Sequence, residues 1–381
     1  MDFTLSHQLW LFTFLVVIVA LAALYFYYYQ RSEKKQPSRN AYLEALKYMA
    51  EKDYRRAIEK FKEAVRTDSS NIDAYLKLGD ILREEGLARN ATRIHKDLTL
   101  RGNLSEEELQ KVWYSLALDY WSAQKYDKAE TFFKKAFDAR YRTVEAVMYL
   151  VKIYTMRQNY KMAYEVLKNS PLKNDAKIQR RMALYKVMEA LEENKGRESR
   201  MMMRDAIKID ESCSAAYAYI GDSYLKEDRL DDAINIWTEY CQKYPSKAHV
   251  LFSRLEKAWY EKGQFSKIEE LYLSILKKDP ENIPALMAIT GFKRKKGDYE
   301  EALTLINDTQ VAEQYEELIK AEEARIIFDK GQFKEAAKRM LDLLDNYLPE
   351  QTYLYACAKC GHKSEEPFWK CPKCHSLNLE I

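Results

Sequence analysis

The stretch Trp113–Tyr141, WYSLALDYWSAQKYDKAETFFKKAFDARY, sets the phase of the chain. Trp113, Leu116 and Tyr120 recur at spacings of three and four, which marks one apolar face of a helix. Ala123-Gln124-Lys125 interrupts that pattern, and Ala129, Phe133 and Ala136 then mark a second apolar face. Two antiparallel helices closing face to face are predicted. Ala117 and Ala129 fall at the predicted crossing, where a larger side chain would hold the helices apart.

One such pair cannot bury its own apolar face and needs neighbours. They appear at steps of about 34 residues. Upstream, Tyr75, Leu78, Gly79 and Ala91 hold the same positions, with Ile94 and Leu98 filling the second helix. Downstream come Val147, Leu150, Tyr154, Ala163 and Leu167, and later Tyr217, Ile220, Gly221, Tyr224, Ala233, Trp237 and Pro245. A turn signal recurs in step: Asp53-Tyr54, Lys125-Tyr126, Asn159-Tyr160, Gln264-Phe265, Asp298-Tyr299 and Gln332-Phe333. Unrelated amphipathic helices would share the period but not the register. The pattern is that of the tetratricopeptide repeat, W-x2-L-G-x2-Y followed by A-x3-F, with Ala117 in place of its Gly. An all-α tetratricopeptide solenoid of about nine repeats is expected over residues 41–347. Its weakest section is Ala176–Asp210, where Gly196 and Met201-Met202-Met203 replace the usual signals and a bend is plausible; the methionines read as gap-filling core.

Only 10 Gly and 8 Pro among 381 residues suit a helical chain. Lys and Arg number 62 against 59 Asp and Glu, so no basic excess points to nucleic acid. Leu9–Tyr29 is 21 residues without a charge, and roughly 31 Å of helix crosses a bilayer core. Residues 1–30 therefore read as an N-terminal transmembrane helix, with the cluster Tyr25–Tyr29 at one interface. A cleaved signal peptide is the competing reading, but a basic leading region is missing and the apolar run passes beyond Ala22. Arg31, Lys34, Lys35 and Arg39 lie in a linker over residues 31–40 and place the bulk of the chain on the cytoplasmic side.

Residues 348–381 differ in character. Cys357-x2-Cys360 and Cys371-x2-Cys374 are two C-x2-C pairs with ten residues between them. Two intervening residues bring both thiolates of a pair within tetrahedral reach of one metal. Gly361 permits the turn beneath the sulfurs, and Pro372 stiffens the second knuckle. Four soft thiolates suit zinc or iron, with zinc favoured, and four sulfurs close the site, which makes it structural. Disulfides are the alternative, and a cytoplasmic address keeps thiols reduced. His362 and His375 follow ligand cysteines and read as outer neighbours; His95, Cys213 and Cys241 read as packing. No Gly-rich phosphate loop, Ser-His-Asp set or H-E-x-x-H appears, so the chain reads as non-enzymatic.

The first helices of such an array line a groove. In phase with Trp113, the groove positions are Asp80 and Arg83, then Tyr114, Leu118 and Trp121, then Met148, Lys152 and Thr155, then Asp222 and Leu225. Tyr114, Trp121 and Met148 would form an apolar centre within a charged rim, as protein-binding hot spots do. Packing of Trp121 against the next repeat is the alternative.

Anchor, repeats and four-cysteine ending, in that order, resemble the lipopolysaccharide assembly protein B family. Leu78-Gly79-Asp80-Ile81-Leu82-Arg83-Glu84-Glu85-Gly86, continuing to Ala91-Thr92-Arg93-Ile94-His95, is similar to its LGNLFRxRG … AxRIH segment. Cys357–Cys374, with Gly361 and Trp369, resembles its rubredoxin-type metal domain. Two departures stand out: Arg89-Asn90 replace the usual Asp-Arg, and the tail stops at Ile381. The resemblance implies an adaptor on the cytoplasmic face of the inner membrane. Its partners would be a membrane AAA protease and the deacetylase that commits precursors to lipid A, with the metal domain packed on the repeats. A homo-oligomer is compatible with this reading. A general membrane-tethered scaffold and an iron-carrying redox protein are the alternatives from other classes.

Overall fold

A computed structural model describes residues 17–25, 38–309, 313–347, 355–357, 359–364 and 371–374. Most of the expected anchor, Leu9–Tyr29, lies outside them; residues 17–25 are helical and exposed. Among the described residues no helix is long and apolar enough to cross a membrane.

The chain forms two compact units, Met1–Cys213 and Ser214–Ile381. The first contains α1 (residues 38–50), α2 (Tyr54–Thr67), α3 (Ile72–Glu84), α4 (Ala88–Thr99) and α5 (Glu106–Ser122). It continues through α6 (Tyr126–Asp138), α7 (Thr143–Met156), α8 (Tyr160–Lys168), α9 (Ala176–Glu193) and α10 (Arg197–Ile209). The second contains α11 (Ser214–Leu225), α12 (Leu230–Lys243), α13 (Phe252–Glu261), α14 (Phe265–Lys278) and α15 (Ile283–Lys296). It then runs through α16 (Tyr299–Asp308), α17 (Glu316–Asp329) and α18 (Phe333–Tyr347), with a 3-10 turn, Pro245–Leu251, leading into α13. Within each unit every helix from α2 onward packs against the next, and α3 also touches α5, as α15 touches α17. This is the helical stacking of a tetratricopeptide solenoid, as the periodicity predicts.

The turn signals fall where the second helix of a pair begins. Asp53, Lys125, Asn159, Gln264 and Asp298 are N-cap residues, and the aromatic that follows each is the first helical residue. Asp53 and Asn159 accept hydrogen bonds from the backbone of Arg56 and Met162 and so satisfy orphan helix donors. One residue before each N-cap the backbone is left-handed. Gly263, Gly297 and Gly331 take that conformation freely. Lys52, Gln124, Gln158 and Asp228 take it with a side chain, at roughly 1–2 kcal/mol each.

At the crossings the two helices nearly touch. A methyl group on Gly79 of α3 would lie 2.3 Å from His95 Nε2 of α4, and one on Gly221 of α11 would lie 2.1 Å from Trp237 Nε1 of α12. Ala117 and Ala129 are fully buried at the corresponding place in α5 and α6. Trp237 is fully buried and donates its Nε1–H to the Ala218 carbonyl at 3.1 Å. The irregular section is a regular pair in the structure: α9 has 18 residues and α10 has 13. Asn194 and Gly196 turn the chain between them with positive φ. Met203 is buried as core, whereas Met201 faces solvent.

Ion pairs join successive repeats at one repeated place. Arg157, just after α7, meets Asp127 at 2.6 Å and Glu130 at 2.5 Å near the start of α6. Lys262 meets Asp231 in the same way, and Lys330 meets Glu300. Exposed pairs of this type contribute only about 0–1 kcal/mol each, so they fix register more than stability.

Replacing Gly79 or Gly221 with Ala should destabilise the chain by about 1–3 kcal/mol in denaturant unfolding, because the facing rings have no room to move. That cost outweighs the ~1 kcal/mol that Ala gains in helix propensity. Gly102→Ala, at a position open to solvent, serves as the neutral comparison; equal unfolding midpoints for all three would remove the close approach as a constraint.

Candidate metal centre and groove

The four cysteines of the ending converge. Tyr355–Ala356 and Lys363–Ser364 pair as two short antiparallel strands, with Tyr355 opposite Ser364. Between them the Cys357 amide donates to the His362 carbonyl at 2.8 Å, and the Gly361 amide donates to the Cys357 carbonyl at 2.8 Å. Gly361 has φ +67°, so the chain folds under the first cysteine pair as its glycine predicts. The Sγ atoms of Cys357, Cys360, Cys371 and Cys374 all lie within 4.8 Å of one another. Cys357–Cys374 and Cys360–Cys371 are each 3.6 Å apart, far beyond a disulfide bond. Thiolates at tetrahedral zinc distance are ~3.8 Å apart, close to these two separations. Cys357 and Cys371 are buried and Cys360 is exposed. The His362 backbone favours the Cys360 thiolate, but desolvation and the three neighbouring thiols push this thiol up to about 12. A divalent cation reverses that balance by holding the sulfurs as thiolates.

The groove positions divide into two groups. Asp80, Arg83, Tyr114 and Leu118 line one cavity of about 370 Å³ between α3, α5 and the start of α7, together with Lys77, Lys111 and Tyr149. Trp121, Met148 and Lys152 are not among its lining residues. Trp121 packs edge-on against Tyr126 of its own repeat and Tyr149 of the next, with ring centroids 5.2 and 5.1 Å away. The Lys152 ammonium sits 5.0 Å over its ring. Met148 is 40% exposed. Tyr114 is buried edge-on against Phe133 and Tyr141, and burial pushes its hydroxyl up to about 12. In the second unit Asp222 holds Arg254 through two bonds, of 2.9 and 3.0 Å.

Beneath the cavity lies a charged network that joins His95, expected as packing, and the groove positions Asp80 and Arg83 through Asp119. His95 and Asp119 are both fully buried. His95 Nδ1 is 2.6 Å from Asp119 Oδ2, and its Nε2 is 3.2 Å from the Leu76 carbonyl. Each ring nitrogen therefore faces an oxygen, one from a side chain and one from the backbone. Arg83 bridges Asp119 at 3.0 Å and Asp80 at 2.8 Å. Desolvation alone would lower the Arg83 pKa; Asp80 and Asp119 outweigh it and raise it. The Ser115 hydroxyl donates to Asp80 at 3.4 Å and extends the network to α5. The signal for it was present: Gly79, Arg83 and His95 all belong to the quoted family-like segment, and Gly79 leaves the space that His95 fills.

Two outcomes are expected. Loading Zn2+ into metal-free protein should release protons, with apparent affinity rising with pH, because the thiols are protonated before they bind. A pH indicator in weak buffer reads this, and silent loading would mean that other groups hold the metal. Separately, Arg83→Met removes the guanidinium that pairs with the fully buried Asp119 and should cost about 3–5 kcal/mol of stability by denaturant unfolding.

Comparison with known proteins agrees with this division of the chain. Residues 355–378 match the rubredoxin metal binding domain, and residues 42–91 and 114–170 match the tetratricopeptide repeat. Lipopolysaccharide assembly protein B of Haemophilus influenzae is 24% identical over 318 residues, covering 80% of this chain and 78% of that protein. Lipopolysaccharide assembly protein B of Escherichia coli K12 is 20% identical over 343 residues, covering 88% and 87%. Through its repeats and its four-cysteine ending alike, the chain is similar to the lipopolysaccharide assembly protein B family along most of its length.

Proposed function

We propose that the chain is a non-enzymatic scaffold in lipopolysaccharide assembly. The observation that carries this reading is the joint similarity of repeats and ending to proteins named for that assembly. A stack of helical pairs presents side chains from several repeats to one partner, and it needs no reacting group to do so. The finer reading is an adaptor at the cytoplasmic face of the inner membrane. It presents the committed-step deacetylase of lipid A synthesis to a membrane AAA protease. The uncharged run Leu9–Tyr29 and the basic residues Arg31–Arg39 support a single-pass anchor with the repeats inside the cell. Confinement to the membrane plane would raise the effective concentration of protease and substrate. Residues Tyr114, Trp121 and Met148, with Asp80, Arg83, Leu118 and Lys152, remain the proposed contact positions.

Zinc, held by Cys357, Cys360, Cys371 and Cys374, is the proposed metal, in a structural role. The metal module would cover the outer side of α18. That helix leaves Phe333 59% and Leu341 58% exposed, with Met340 and Leu344 on the same stripe. Phe368, Trp369, Leu377 and Leu379, the apolar residues expected to meet such a surface, lie outside the described residues.

Crosslinking and affinity capture from membranes, with and without residues 349–381, test the adaptor. The intact chain should recover an AAA protease together with the deacetylase, and the truncated chain should recover less of both. Recovery of neither leaves only a general scaffold. The Cys371→Ser/Cys374→Ser variant should lose its metal and gain a protease-sensitive tail; full metal retention would remove the four-cysteine assignment.

A further inference from the structure

We propose that the four-cysteine ending is a peroxide-responsive thiol switch, entered at Cys360 and resolved by Cys371. This rests on the zinc assignment above and adds what the sulfurs do when an oxidant reaches them. The four sulfurs are not equivalent. Cys360 is exposed and Cys374 half-buried, whereas Cys357 and Cys371 are buried, at 2% and 0% exposure. Cys360 Sγ lies 3.6 Å from Cys371 Sγ, and Cys374 Sγ lies 3.6 Å from Cys357 Sγ. Each contact therefore joins one outer sulfur to one inner sulfur, and each crosses from one C-x2-C pair to the other. An accessible thiolate beside a shielded resolving thiol is the arrangement that reversible oxidation requires. Closing either contact to a disulfide of about 2.05 Å brings the sulfurs roughly 1.5 Å nearer.

Zinc binding keeps the sulfurs as thiolates, the nucleophilic form. The Cys360 thiolate attacks hydrogen peroxide: a sulfur–oxygen bond forms, the oxygen–oxygen bond breaks and hydroxide leaves. The Cys371 thiolate then attacks the sulfenic sulfur of Cys360, a disulfide forms and a second hydroxide leaves. The two sulfurs have lost two electrons between them. The peroxide has gained two and, with two protons from solvent, has become two waters. Zinc keeps its charge throughout and loses two of its four ligands. Cys374 and Cys357 repeat the sequence with a second peroxide, and the metal passes to solution. The Cys374 amide donates to the Cys371 sulfur at 3.5 Å and holds that inner sulfur beside its attacker's path. The products tie one knuckle to the other instead of closing each on itself, so a thiol reductant and zinc restore the starting site. Cys213 and Cys241 are buried among the repeats and stay thiols, which makes them internal controls.

The test uses the full zinc-loaded chain in detergent, treated with hydrogen peroxide, with released zinc read by a chromogenic chelator. Remaining thiols are then alkylated, and the unreduced chain is cut with trypsin. Lys359, Lys363, Lys370 and Lys373 place each of the four cysteines in its own peptide, so the map reads the pairing directly. Cys360 joined to Cys371 should appear first and Cys374 joined to Cys357 second. Zinc should leave in step with thiol loss and return on treatment with dithiothreitol and zinc. In a separate arm, limiting iodoacetamide on the zinc-loaded chain should label Cys360 at least roughly 10-fold faster than Cys357 or Cys371. Any other pairing among the four overturns the proposal, as does equal labelling of all four sulfurs. Zinc that stays bound under peroxide, with four thiols recovered, overturns the switch and leaves the metal assignment standing. A chain that takes up no zinc overturns both.

Discussion

The fold depends on how closely two helices approach at each crossing. A methyl on Gly79 or Gly221 would overlap a buried ring, and Ala117 and Ala129 leave no room for anything longer. Close approach lets Phe133, Trp237 and Leu98 fill the second helix without a gap. The apolar faces then meet the next pair instead of water. Dispersion and burial hold each layer, and the surface ion pairs between layers set which residue faces which.

In the first unit the same close approach creates a polar interior. The space above Gly79 takes an imidazole, and an imidazole needs partners when no water reaches it. Asp119 and the Leu76 carbonyl supply them, and Arg83 then compensates the carboxylate. In the second unit the equivalent space above Gly221 takes an indole, which needs only the Ala218 carbonyl. One backbone geometry therefore supports two interiors. The charged one costs more to break, and it lies directly below the cavity that gathers Asp80, Arg83, Tyr114 and Leu118.

Most of the architecture was legible because its determinants are local. The pairs Asp53-Tyr54 and Asn159-Tyr160 mark helix starts by capping chemistry, which acts within four residues. The four cysteines were legible because a C-x2-C knuckle is built by its own short loop. What was not legible depends on meetings across the chain. Asp119 reads as one more polar residue of α5 until His95, 24 positions away, is seen to face it. Trp121 reads equally as groove or packing, and only the structure brings the Tyr149 ring of the next repeat edge-on to it, 5.1 Å away. Pro245 marks where the repeat ends but not the 3-10 turn Pro245–Leu251 that follows, and Asn282, which donates to the Pro245 carbonyl from a later repeat, shows what ties that turn down.

The left-handed residue at each turn bears on how such a chain can lengthen over generations. Gly79, Ala117 and Gly221 each stand seven residues before the left-handed position of their own turn, at Gly86, Gln124 and Asp228. Seven residues are about two helical turns, and one inserted residue rotates everything beyond it by about 100°. The small residue would leave the crossing and a bulky neighbour would enter it. Copying or deleting a whole helical pair preserves both distances. The lineage can therefore gain or lose reach in complete modules, while single-residue indels are confined to the loops that join one pair to the next.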